Sequence, residues 1–173
     1  RLFLESIASG VELGSLLEDD LKLEDVEVRK EWEHIDISLL IKTKNEKTLI
    51  IIENKIKAKD SNKQLERYRN IVENKFKQDY KKIFIYLTPD GDEPNDKNEL
   101  QYWNIFSYRQ IVKEVLDKVV PVVSNDEIKK FIEQYIGILR RVVLEDTEVN
   151  SLCSKIYKDH KKAIDLIFEA RDD

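Results

Sequence analysis

The feature that most constrains this chain is the unbroken apolar run Leu49, Ile50, Ile51 and Ile52, which passes directly into Glu53, Asn54 and Lys55. A continuous run of this kind marks a central strand covered on both faces, so the chain must supply a packing layer above and below it. Side chains two apart on a strand point to the same side, which puts Glu53 and Lys55 together where the strand emerges. Taken alone, that pair also fits a core strand ending in solvent.

The neighbouring segments build outwards from this strand. Ile35, Ile37, Leu39 and Ile41 alternate with Asp36, Ser38, Leu40 and Lys42, giving a strand with one strongly apolar face and one face that carries an acid. A turn at Asn45, Glu46 and Lys47 folds it back on the central strand. An earlier strand is expected from Val26 to about Trp32, and His34, two residues before Asp36, is expected to share the face of that acid. Ser61 followed by Gln64 reads as a capping box that opens a helix with an apolar stripe at Leu65, Tyr68, Val72 and Phe76. Ile83 to Leu87 gives a fourth strand ended by Pro89, Asp90 and Gly91, and Tyr102 to Phe106 gives a short fifth. Helices are expected over residues 1–17, from Ser107 to about Val119, over 125–144 and over 150–170. The C-terminal stripes fit either core packing or a homodimer surface.

Composition narrows the class. A chain of 173 residues fits one domain, expected to span residues 1–173, and only four Gly and three Pro suit a helix-rich globular protein. No apolar run reaches the ~20 residues of a membrane span, so no membrane partner is expected. The single cysteine, Cys153, has no partner for a disulfide or a zinc site, and a cytoplasmic setting is the default. There is no glycine-rich phosphate loop, hence no expected nucleotide cofactor. The absence of methionine and the start at Arg1 suggest a piece of a longer chain.

The net charge of −5 argues against a bulk polyanion binder, but its distribution is uneven. Residues 55–82 hold ten basic and four acidic side chains, whereas residues 1–33 hold four basic and ten acidic. The positive charge therefore follows the central strand immediately, where Lys57, Lys59, Lys63 and Arg67 form either a solvated surface or a phosphate-facing one. If Asp36 pairs beside Glu53 and Lys55, two carboxylates meet at low dielectric and require a cation or a shared proton. A hard divalent ion such as Mg²⁺ takes oxygen ligands of this sort and retains waters, which suits metal-assisted phosphodiester hydrolysis. Trp32, Tyr102 and Trp103 are aromatic residues able to stack on bases or to pack at strand edges.

IDISLLI at residues 35–41, a turn, LIIIENKI at 49–56, and then Gln64, Leu65 and Tyr68 resemble the PD-(D/E)XK nuclease superfamily. The resemblance is to a bacterial and phage group in which an IDI strand, an IENKI strand and a QLxxY helix occur together. It continues through YLTPDGDEPND at 86–96, FSYRQIV at 106–112 and KIYKDHKKAIDLIFEA at 155–170. It implies a restriction-endonuclease-like α/β sandwich with a mixed central sheet flanked by helices, plus additional C-terminal helices. It also implies that Asp36 and Glu53 are metal ligands, that the Asn54 backbone carbonyl is a third, and that Lys55 is the catalytic lysine. Gln64 matches a helix glutamine that supports the site or contacts nucleic acid, though its capping role remains an alternative, and Tyr68 matches a packing aromatic one turn later. Mg²⁺ as cofactor, with Mn²⁺ able to substitute, DNA as substrate, and a role in phage defence or DNA processing are likewise implied. Two departures stand out: His34 and Ile35 precede the first acid where the motif's name has proline, and the further glutamate of many members is not identifiable among Glu5, Glu12 and Glu31. The rival readings are a catalytically inactive module of the same fold that binds nucleic acid or protein, and a hydrolase of another phosphoester.

Overall fold

A computed structural model of the chain describes Phe3 and residues 25–44, 46–57, 61, 63–76, 79–145 and 148–169. The helix expected over residues 1–17, together with Glu5, Glu12 and Lys59, lies outside the described residues, apart from Phe3, whose ring sits edge-on to Phe106 at 6.1 Å.

One five-stranded sheet runs in the order β1 (Val26–Trp32), β2 (Ile35–Lys42), β3 (Lys47–Asn54), β4 (Tyr80–Thr88), β5 (Trp103–Ser107). The first three strands pair antiparallel, and β3, β4 and β5 pair parallel. Parallel neighbours need a crossover, and helix α1 (Gln64–Lys75) supplies it between β3 and β4. A polar connection with a 3₁₀ turn at Lys97–Gln101 joins β4 to β5. The result is the mixed-sheet α/β sandwich that the family resemblance implied.

The apolar run of β3 is buried as its composition requires. Ile50 and Ile52 pack with Ile41, Ile83, Ile85, Leu87 and Phe106 on one face, while Leu49 and Ile51 pack with Leu40, Phe84 and Tyr86 on the other. Helix α1 covers the second face with Leu65, Tyr68 and Val72. Tyr108 and Ile111 lean on the first face from helix α2, which opens at Tyr108–Gln110, runs through a π-helical stretch at Ile111–Leu116 and closes at Asp117–Val119. Ser107 caps α2 in a full capping box with Gln110.

Two expectations about local structure require correction. Helix α1 starts at Gln64 with Lys63 as its N-cap, in a left-handed conformation at φ 62° and without a side-chain cap, so Ser61 does not play the capping role. Only half of the box survives: the Ser61 N–H donates to Gln64 Oε1 at 3.3 Å. His34 does not extend the alternation of β2. Glu33 and His34 form a two-residue turn in which both have positive φ, 54° and 68°, as a type I′ hairpin requires, and the strand begins only at Ile35.

Helix α3 (Asp126–Ile138), capped by Asn125 and continued by a π-helical stretch at Leu139–Val143, buries Ile136 and Leu139 against Val112 and Leu144. Its opposite side leaves Ile128, Phe131, Tyr135, Ile138 and Val142 exposed, so core packing accounts for one of its stripes and not for the other. Helix α4 (Glu148–Glu169) carries a kink at His160. No helix among the described residues is long and apolar enough to cross a membrane.

Ile51 is fully buried between layers, whereas Val28 on the edge strand is 57% exposed. Ile51→Ala is expected to lower the unfolding free energy by about 2–5 kcal/mol through lost transfer energy and an unfilled cavity. Val28→Ala should stay within about 0.5 kcal/mol. Urea titration of both variants checks the contrast.

Candidate active site

The antiparallel register pairs Ile37 with Ile52, and one further step along it sets Asp36 across from Glu53 where the two strands end. Asp36 Oδ2 accepts the Asn54 backbone N–H at 2.8 Å, so the first acid is tied to the strand that carries the second. On the other side of β3, the Lys55 N–H continues the parallel ladder by donating to the Leu87 carbonyl at 2.8 Å. Asn54 is held a second time, by the Tyr108 hydroxyl donating to its Oδ1 at 3.1 Å. Both neighbouring strands therefore fix the backbone of the Glu53, Asn54 and Lys55 triplet, and α2 holds the Asn54 side chain.

Glu53 is only 1% exposed. Its Oε1 receives the Lys55 ammonium at 2.7 Å and the Gln64 Nε2 at 2.9 Å. Its Oε2 is buried and accepts no hydrogen bond among the described residues. Burial pushes the Glu53 carboxyl above its ordinary range and the nearby Asp36 charge adds to that, while the hydrogen bond from Lys55 and the charges of Lys55 and Arg67 oppose it.

Gln64 reaches Glu53 because the helix begins at Gln64 itself. With Lys63 as the cap, the glutamine sits in the first turn, Oε1 facing the Ser61 N–H and Nε2 facing the carboxylate. One end of the Gln64 amide is thus bound to the Ser61 backbone and the other to Glu53. The same Nε2 lies 3.0 Å from the Tyr68 hydroxyl, which donates onward to the His34 carbonyl at 2.7 Å. Tyr68 buries its ring in the core as expected, and its hydroxyl also ties α1 to the β1–β2 turn.

Of the four basic residues expected to meet phosphate, Lys57, Lys63 and Arg67 are exposed and Lys59 is outside the described residues. Arg67 lies with its guanidinium 5.2 Å from the Tyr68 ring centroid. Lys55 and Lys57 line a cavity of about 550 Å³ that Asp90, Asp92 and Glu93 also line. In the sequence Asp90 read as the turn that ends β4, and Asp92 and Glu93 stood only within the YLTPDGDEPND segment, with no sign that they share a cavity with these lysines; Asp90 is paired with Arg109 at 2.7 Å and Glu93 with Lys97 at 2.8 Å. Glu31, one candidate for a further acidic ligand, is exposed on β1.

Two strand-end acids, a lysine two residues beyond the second of them, and a glutamine from the crossover helix define an α/β protein of the nuclease type. Residues 1–159 match the PD-(D/E)XK nuclease superfamily, and the chain belongs to it. Neither the curated proteins nor the solved structures yielded a match. PD-(D/E)XK nucleases generally use divalent metals. No group of three or more His, Cys, Asp or Glu side chains converges among the described residues. The donors that would suit a hard cation are two carboxylates and a backbone carbonyl, and the unpartnered buried Oε2 of Glu53 is an acceptor of the kind such an ion satisfies.

Tyr68→Phe removes the hydroxyl that joins Gln64 to the His34 carbonyl while leaving the buried ring in place. The expected loss is about 1–2 kcal/mol of unfolding free energy, read by denaturant titration.

Proposed function

We propose that the protein is a divalent-metal-dependent nuclease that hydrolyses DNA phosphodiester bonds, with Mg²⁺ as the cofactor and Mn²⁺ as a substitute. The observation that carries this reading is the buried Glu53 carboxylate, held on one oxygen by Lys55 and Gln64 and unpartnered on the other. A buried carboxylate is costly unless its remaining lone pairs are satisfied, and a cation is the partner that suits an acid with Asp36 beside it.

Asp36, Glu53 and the Asn54 carbonyl would hold the ion. The chemistry supplied by a bound divalent cation is Lewis acidity towards phosphate oxygen and a lowered pKa of water. Lys55, positioned by Glu53, orients the attacking water and stabilises negative charge developing on the phosphate. The attacking water gives up a proton to solvent as its oxygen bonds to phosphorus, one phosphorus–oxygen ester bond breaks, and the leaving alkoxide takes up a proton from solvent. Gln64 keeps the Glu53 carboxylate in its rotamer. Lys57, Lys59, Lys63 and Arg67 bind the backbone phosphates, contacts that position the strand without reading its sequence.

Purified protein incubated with Mg²⁺ or Mn²⁺ and plasmid or linear DNA is expected to cleave. Lys55→Ala and Asp36→Asn should each lower the rate by about 10²-fold or more, the first by removing a transition-state donor and the second by weakening the cation site. Absence of cleavage with either metal, or equal cleavage by the variants, sinks the nuclease reading. DNA binding that persists without cleavage would select the inactive binding module instead. In the same binding assay, the Lys63→Ala, Arg67→Ala double variant should weaken association across sequences and reduce the slope of log affinity against log salt by about 2.

A further inference from the structure

The three aromatic residues that sequence alone left undecided part company in the structure. Trp103 is buried and donates its indole N–H to Glu99 Oε2 at 3.2 Å, and Trp32 packs edge-on to Phe76 at 5.5 Å. Tyr102 remains 44% exposed. It lines a cavity of about 850 Å³ that also takes in Lys63, the residue next to Gln64.

The Tyr102 ring has a fixed cationic neighbour in the same cavity. The Arg69 guanidinium lies 4.1 Å from its centroid, and Arg69 is itself fixed by two hydrogen bonds to Glu99, at 3.0 and 2.9 Å. Glu99 is 3% exposed and shared with the Trp103 indole, so the guanidinium plane has little freedom to move. The Tyr102 backbone N–H is bound to the Glu99 carbonyl at 2.9 Å. An exposed aromatic ring beside a clamped guanidinium costs little further ordering when something stacks on it.

Charge on the cavity wall is balanced, with Lys63, Arg69 and Lys97 against Glu66, Asp96 and Glu99. A balanced wall is a poor trap for phosphate and a suitable one for a neutral planar group, and the volume falls within the usual range for small-molecule sites. We infer that this cavity is a stacking subsite for an unpaired nucleobase of the nucleic-acid substrate, with Tyr102 as the platform. The inference rests on the nuclease reading for the identity of the strand. Stacking is indifferent to base type, and a base can enter only where the strand is unpaired or splayed, so the protein should favour single-stranded or frayed segments over intact duplex.

The test is binding read without cleavage. The full chain, in Ca²⁺ in place of Mg²⁺, is titrated into a single-stranded oligodeoxynucleotide carrying one 2-aminopurine, and into the same strand in duplex form. The single strand should bind about tenfold tighter, with its fluorescence quenched. Tyr102→Ala should lose about ten- to a hundredfold in single-strand affinity at an unchanged salt slope, while Tyr102→Phe should keep wild-type affinity. An exposed ring can be removed with little effect on folding, and a denaturation curve matching wild type confirms that. Duplex preference, a Tyr102→Ala variant that binds like wild type, or a Tyr102→Phe variant that falls with it would each overturn the inference. A protein that binds the unpaired strand through Tyr102 yet never cleaves with Mg²⁺ or Mn²⁺ would refute the nuclease reading alone. A nuclease indifferent to Tyr102 would refute the stacking subsite alone.

Discussion

The structure depends on one unfavourable act, the burial of the Glu53 carboxylate at the end of a central strand. A charge withdrawn from water demands compensation close at hand, and two elements supply it: the continuation of β3 gives Lys55 and the start of α1 gives Gln64, while the start of β2 brings Asp36, the acid that raises the demand. Because Oε1 takes both donors, the carboxylate is left with an unpartnered oxygen. That asymmetry separates this acid from an ordinary buried ion pair.

The mixed sheet makes the arrangement possible. Antiparallel pairing on one side of β3 brings the Asp36 strand end alongside Glu53, and parallel pairing on the other lets the Leu87 carbonyl of β4 hold the Lys55 backbone. A sheet of a single pairing type would not offer both supports at one strand end. The crossover demanded by the parallel pair is the helix that delivers Gln64, so the topology that positions the backbone also provides the amide donor.

Much of this was legible in the sequence because it is written in local periodicity. All five strands follow from alternation or continuous apolar runs, and the Asp36, Glu53 and Lys55 set follows from the two-residue repeat of a strand once β2 and β3 are read as a hairpin. The errors fall where a tertiary partner overrides a local rule. Gln64 looked like the third residue of a capping box, but its contact with Glu53 goes with a helix start at a left-handed Lys63. His34 looked like part of a strand, but a tight turn claims it, and its carbonyl is tied to Tyr68. The Arg69, Glu99 and Trp103 cluster had no local signature at all, since Arg69 and Glu99 lie 30 residues apart and neither belongs to a motif. The acidic residues that line a cavity with Lys57 were hidden in the same way, as loop residues whose position only the fold reveals.

The spacing of these contacts along the chain also sets an order of assembly. The bond from the Asn54 N–H to Asp36 spans 18 residues and that from Gln64 to Glu53 spans 11, whereas the one from Tyr108 to Asn54 spans 54. Hairpin contacts close within microseconds, while parallel pairing waits on a crossover and the loop entropy that goes with it. The hairpin that joins the two acids and the Gln64 contact are therefore both local, and the pairing of β3 with β4 is the step that waits; it completes the burial of Glu53. Lys55, two residues from Glu53 on the same segment, is present throughout, so the repulsive pair is never desolvated without its counter-charge.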